Sequence, residues 1–76
     1  MVDEIGLKIL GSLNENSSMH PWAIIRAVYG VYRQGSYPGM IRRLNNMGDS
    51  GLVRDLGHGR EFEITSEARD KYFGKK

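Results

Sequence analysis

Arg42 and Asn46 stand one helical turn apart in the run Tyr37-Pro38-Gly39-Met40-Ile41-Arg42-Arg43-Leu44-Asn45-Asn46-Met47. Arg and Asn are the side chains that make paired hydrogen bonds to guanine and adenine edges in the major groove of DNA. Arg43 and Asn45 flank that row, within reach of bases or backbone. At about 100° per residue, Tyr37, Met40, Ile41, Leu44 and Met47 gather on one side of a helix, and Gly39, Arg42, Arg43 and Asn46 on the other. Ser36 is placed to act as N-cap, and Pro38 sits in the first turn, where a missing N–H costs nothing. The partly positive start of such a helix, with the Ser36 hydroxyl and the Tyr37 phenol, suits a phosphate. The chemistry implied is the reading of duplex DNA by a helix over residues 36–47.

Other elements must hold that helix in place. Val2, Ile5, Ile9 and Leu13 recur at helical spacing and predict a first helix over residues 3–14. Gly6 and Gly11 weaken it by up to about 1 kcal/mol each relative to Ala, so packing has to hold it. Leu7 and Leu10 lie off the main stripe and mark a candidate subunit contact. Ser18 is the expected N-cap of a second helix, with Pro21 in its first turn. Trp22, Ile25, Tyr29 and Tyr32 form a stripe at helical spacing that reads as core. Gly35 is the expected left-handed C-terminal residue, which leaves a very tight turn into the helix over 36–47. Two short helices so joined, the second with a basic polar face, form a helix-turn-helix arrangement.

The run Gly48-Asp49-Ser50-Gly51 is expected to stop the third helix. Residues 52–56 and 60–64 read as two strands, the second with Phe62 and Ile64 inward and Glu61 and Glu63 outward. Gly57-His58-Gly59 has the composition and length to close a hairpin. Thr65 or Ser66 then caps a short helix to about Phe73, packed by Ala68, Tyr72 and Phe73, before the basic tail Gly74-Lys75-Lys76. The predicted class is α+β, mainly α, with the order of a winged helix-turn-helix: three helices, a two-stranded hairpin as wing over 52–64, and a short C-terminal helix. Residues 1–76 make a single domain. Arg60 and His58 on the wing are candidates for the adjacent backbone or minor groove, with Arg54 a weaker one. His20, beside Pro21, reads as a packing or capping residue.

Charge distribution supports a polyanionic partner. Between His20 and Arg60, six Arg (26, 33, 42, 43, 54 and 60) face only Asp49 and Asp55, whereas the flanks hold more acids than bases. Arg suits bidentate phosphate and base contacts better than Lys. Enzymatic chemistry finds little footing. The chain has no cysteine, its two His lack metal-ligand spacing, and there is no nucleophile elbow or phosphate-binding loop. Gly57-x-Gly59 begins a dinucleotide-like pattern, but Phe62 stands where its third glycine would be. No cofactor and no metal are expected. No apolar run is long enough for a membrane span, and Asp3 and Glu4 occupy the place where a secretory signal carries positive charge, so a cytoplasmic protein is expected. Seventy-six residues give a small core, to which dimerisation would add burial.

Three local patterns resemble the winged-helix regulators of the PadR and MarR type and the small archaeal DNA-binding proteins related to them. His20-Pro21-Trp22-Ala23-Ile24-Ile25 is similar to the PadR-like opening of the second helix. Residues 35–44, ending in Arg42-Arg43-Leu44, are similar to that family's recognition-helix segment. Gly51-Leu52-Val53 and Gly59-Arg60-Glu61-Phe62-Glu63-Ile64-Thr65 resemble its wing. The likeness covers roughly residues 5–73. The chain departs from it by a few extra residues between Leu44 and Gly51, and by lacking the long C-terminal dimerisation helices after the fourth helix. The resemblance implies a transcriptional regulator, expected to be a repressor, that binds double-stranded DNA; a homodimer is expected from the small core, with Leu7, Leu10 and the last helix as the candidate interface. The competing reading is a winged-helix module for protein–protein contact or RNA binding. An RNA binder would display exposed aromatics, and here the aromatics fit the core, with Tyr37 the possible exception.

Overall fold

Four helices surround a hairpin in the computed structural model, which describes residues 2–31, 34–57 and 60–74, Gln34 by its backbone alone. The order is α1 (Glu4–Glu15), α2 (Pro21–Tyr29), a 3₁₀ turn (Gln34–Ser36), α3 (Tyr37–Asp49), β1 (Val53–Asp55), β2 (Phe62–Ile64) and α4 (Ser66–Phe73). This mainly helical α+β arrangement is compatible with a winged helix. Among the described residues no helix is long and apolar enough to cross a membrane.

Asp3 starts α1 by accepting a hydrogen bond from the Gly6 amide at 2.8 Å. A Cβ on Gly6 would lie 2.6 Å from Val2 Cγ1 and 3.1 Å from the same carboxylate oxygen, so glycine is what lets the chain fold back that tightly. The buried face of α1 is Gly6, Ile9, Leu10 and Leu13, an i, i+3, i+4, i+7 set. Leu10 is wholly buried in the chain's own core and cannot serve a subunit contact as expected; Leu7 is 42% exposed.

The second helix departs further from its sequence reading. Its N-cap is His20, whose Nδ1 accepts from the Trp22 amide at 3.3 Å, while the Ser18 hydroxyl donates to Glu61 instead. Its buried residues are Pro21, Ile24, Ile25 and Val28. Trp22 and Tyr29, expected in the core, are 44% and 48% exposed; Tyr32 lies outside the described residues. The helix closes at Gly30, not Gly35. Gly30 has φ 85, left-handed backbone that glycine adopts without a Cβ clash, and its amide donates to the Arg26 carbonyl. The connection to α3 is therefore longer than the tight turn expected, and Gly35 sits inside the 3₁₀ turn.

α3 absorbs the extra residues after Leu44 as another helical turn. It runs to Asp49 and ends in a Schellman motif: the Leu52 amide donates to the Met47 carbonyl, the Gly51 amide to that of Gly48, and Gly51 takes φ 79. β1 and β2 pair antiparallel with Val53 opposite Ile64 and Arg54 opposite Glu63. Met19 makes a separate one-residue bridge to β2 by exchanging two backbone hydrogen bonds with Phe62, which ties the start of α2 to the hairpin. Thr65 locks the far side. Its hydroxyl donates to the Gly51 carbonyl at 2.8 Å and accepts from the Ala68 amide at 3.1 Å, so one side chain caps α4 and holds the exit of α3. The common core takes Ile9, Leu10 and Leu13, Ile24, Ile25 and Val28, Met40, Leu44 and Met47, and Val53, Phe62, Ile64 and Ala68.

Candidate nucleic-acid interface

α3 buries Met40, Leu44 and Met47, with Tyr37 and Ile41 half-buried on one flank. The side opposite those three residues carries Pro38, Arg42, Asn45, Asn46 and Asp49, all exposed. Arg42 is thus at the middle of the outward face. The expected row of Arg42 and Asn46 is exposed as the wheel implied, whereas Arg43, expected on the same face, is half-buried. Gly39, Arg42, Arg43 and Asn46 do come together: they line one shallow groove with Val2 and Asp3 at the start of α1. A Cβ on Gly39 would meet nothing within 4 Å, so its backbone is open to close approach.

Arg43 is not equivalent to Arg42. Its guanidinium donates to both carboxylate oxygens of Asp3, at 3.0 and 3.1 Å, and its side chain is 37% exposed. The Gly6 amide, and with it Arg43, holds the Asp3 carboxyl below the usual carboxylate range. Both groups face water, so the pair adds little to stability, but it orients Arg43 along the groove instead of straight out.

Ser36 does not cap α3. It has helical backbone, φ −85 and ψ −10, because the 3₁₀ turn runs directly into the helix, and its hydroxyl makes no capping bond. Ser36 lines a hollow with Tyr29, Gly39, Met40 and Arg43 at the mouth of α3. Tyr37 is half-buried, its ring 6.3 Å from that of His20. Asn45 stands at the hairpin-side edge of the outward face, where it also lines a cleft with Arg54 and Asp55.

On the hairpin, Arg60 is exposed and its amide donates to the Gly57 carbonyl, which places it past the last rung near the tip. His58 lies outside the described residues. Arg54 pairs with Glu63 across the strands, so much of its charge is already answered. Among the described residues no three acidic or His side chains gather as metal ligands.

Two features escaped the sequence reading. The first is the exposed stripe Trp22, Arg26 and Tyr29 along α2, whose display removes the ground on which RNA binding was disfavoured. The signal was present: Pro21, Ile24, Ile25 and Val28 also stand at i, i+3, i+4, i+7 and are the better aliphatic stripe. The second is that residues 16–48, which hold α2, the turn and nearly all of α3, contain Arg26, Arg33, Arg42 and Arg43 and no Asp or Glu.

Comparison with known proteins gives no match: no family model, no curated protein and no solved structure is significantly similar to the chain. The winged-helix resemblance rests on the short motifs themselves.

Proposed function

We propose that this chain is a winged helix-turn-helix regulator of the PadR/MarR type, cytoplasmic, that binds double-stranded DNA in a sequence-specific manner. In this reading α3 enters the major groove, Arg42 and Asn46 read base edges, and Arg43 and Asn45 reach bases or backbone. Ser36, Tyr37 and Gly39 meet phosphates at the mouth of the helix. Arg60 and His58 on the hairpin take the adjacent backbone or minor groove, and repression follows from occupancy of the site. One observation carries the reading: the outward face of α3 bears Arg42, Asn45 and Asn46, none of them needed for packing. A good bidentate contact discriminates by about 1–3 kcal/mol against the wrong base, so two or three such contacts suffice for a preferred site.

A second copy of the chain belongs to the same reading, since duplex sites are commonly read by two-fold dimers. With Leu10 in the core, the dimer surface is the face where Leu7 and Phe73 are exposed and Phe73 Cζ passes 4.0 Å from where a Gly11 Cβ would be. Light scattering at high micromolar concentration tests it, a dimer being expected and a monomer removing it.

The deciding experiment is selection of bound duplexes from a random library. The expected outcome is an enriched motif with two-fold symmetry, whose binding weakens steeply with salt as counterions are released. No enrichment, or binding indifferent to salt, sinks the reading.

A further inference from the structure

We propose that the outer stripe of α2, formed by Trp22, Arg26 and Tyr29, is a stacking platform for the unpaired bases of a DNA strand. All three side chains are exposed, and Trp22 and Tyr29 show nearly half their surfaces to solvent although each is large enough to anchor a core. They lie seven residues apart, so the rings sit on one side of the helix about 10 Å apart along its axis. That is about three base steps at the 3.4 Å spacing of a stacked strand. Arg26 falls between them on the same side, placed for the intervening phosphates and for cation–π contact with a neighbouring ring.

Charge selects the occupant. α2 has no acidic residue, and neither has any part of residues 16–48. An aromatic pair with Arg between it, on a segment free of carboxylates, complements a polyanion whose bases offer π-faces; the nearest acids the segment meets, Asp3 on Arg43 and Glu61 on Ser18, come from outside it. The stripe is also continuous with the mouth of α3. The His20 ring lies 5.9 Å from Trp22 and 6.3 Å from Tyr37, and Tyr29 shares a hollow with Ser36, Gly39, Met40 and Arg43. A strand leaving a duplex held on α3 would reach the stripe without crossing an acid from its own helices. The choice of DNA over RNA rests on the duplex reading of α3; the stacking platform does not.

Trp22 is the only tryptophan, so its fluorescence reports contact directly. The full chain is titrated with a short oligo-dT, with the same strand annealed to oligo-dA, with oligo-rU, and with polyglutamate. Oligo-dT is expected to quench Trp22 emission to saturation. Tyr29→Ala is expected to weaken it about tenfold or more and Tyr29→Phe to restore it, because stacking needs the ring and not the hydroxyl. Arg26→Ala weakens it less, and Arg42→Ala leaves it unchanged. Trp22→Ala is followed by anisotropy of a labelled oligo-dT and should lose a similar amount. Absence of quenching by oligo-dT overturns the proposal, as does equal quenching by polyglutamate, the mark of a surface for acidic proteins. Preference for oligo-rU overturns the DNA assignment. Loss of duplex binding with oligo-dT binding intact sinks only the duplex reading; the reverse sinks only the platform.

Discussion

α2 and α3 each bury a stripe of aliphatic or thioether side chains and turn other residues outward, but what they turn outward differs in kind. α3 hides Met40, Leu44 and Met47 and displays Arg42, Asn45 and Asn46; α2 hides Pro21, Ile24, Ile25 and Val28 and displays Trp22, Arg26 and Tyr29. On α3, side-chain polarity separates the two faces, so the division can be made from residue type. On α2 both candidate faces are apolar, and residue type alone does not divide them: the aliphatic stripe packs against α1 and α3, while the two large rings stay exposed. An exposed polar face on a helix is ordinary; two exposed large rings in one stripe are a surplus of apolar surface that a binding role explains.

The largest expected effect breaks or upholds this division of α2. Ile25→Ala should cost about 2–5 kcal/mol of unfolding free energy, since Ile25 is wholly buried in the common core. Trp22→Ala should cost less than about 1 kcal/mol, as for a surface substitution. Urea titration followed by far-ultraviolet circular dichroism measures both. If Trp22→Ala proves the costlier, the aromatic stripe belongs to the core and the platform falls with it.

Next comes the split between the two neighbouring arginines of α3. Arg42→Ala should weaken binding to a selected duplex by about 1–3 kcal/mol and relax preference at one base pair. Arg43→Ala should cost less and reduce the salt slope without changing sequence preference, because its guanidinium lies along the groove toward Asp3. Competition assays against duplexes altered at single positions separate the two behaviours. Unchanged affinity with both replaced would remove α3 as the reading helix.

The helix exits offer a smaller contrast. Among the described residues, α2 leaves through Gly30 with one backbone bond, to the Arg26 carbonyl, whereas the exit of α3 is sealed by the Schellman bonds and by the Thr65 hydroxyl. Thr65→Ala should therefore cost about 0.5–2 kcal/mol as a lost N-cap. It should also speed amide exchange at Leu52, beside the Gly51 carbonyl that the hydroxyl engages. Loss of stability without faster exchange there would mean that Thr65 serves α4 alone.

Local chemistry made much of this legible in advance. The alternation of Phe62 and Ile64 with Glu61 and Glu63 placed the hairpin and its inward face, and the buried and outward sides of α3 followed from Met40, Leu44 and Arg42. Failures came where two local solutions were equally good. Gly30 and Gly35 both suit a helix end, and the choice falls on the one whose left-handed turn leaves Val28 packed and Tyr29 outside. Gly48 looked like a terminator but continues α3, where a side chain is not needed beside the Val53 carbonyl 3.7 Å from its would-be Cβ. Other features are set by tertiary contact. Asp3 meets Arg43 across 40 residues, Met19 pairs with Phe62, and Ser18 gives its hydroxyl to Glu61 instead of capping α2. No local pattern encodes those meetings, and the first of them decides how two adjacent arginines differ.

That meeting supplies the smallest effect, and it can be read by pH. The Asp3 carboxyl is held below its ordinary value near 3.8 by the Gly6 amide first and by Arg43 second. A carboxyl whose folded pKa is depressed stabilises the fold above its unfolded value, and that contribution is lost as pH falls through the folded one. The first turn of α1 should thus loosen only below the usual carboxylate range, together with the restraint on Arg43. Asp3→Asn keeps a capping oxygen but removes the charge, so the variant should be slightly less stable than the parent near neutrality and should converge with it at the acid end. The same substitution frees Arg43, and Arg43→Ala should then matter more to duplex affinity in the Asp3→Asn background than in the parent. A double-mutant cycle measures that difference. Strict additivity would show that the ion pair does not restrain Arg43, leaving the two arginines distinguished by their positions on α3 alone.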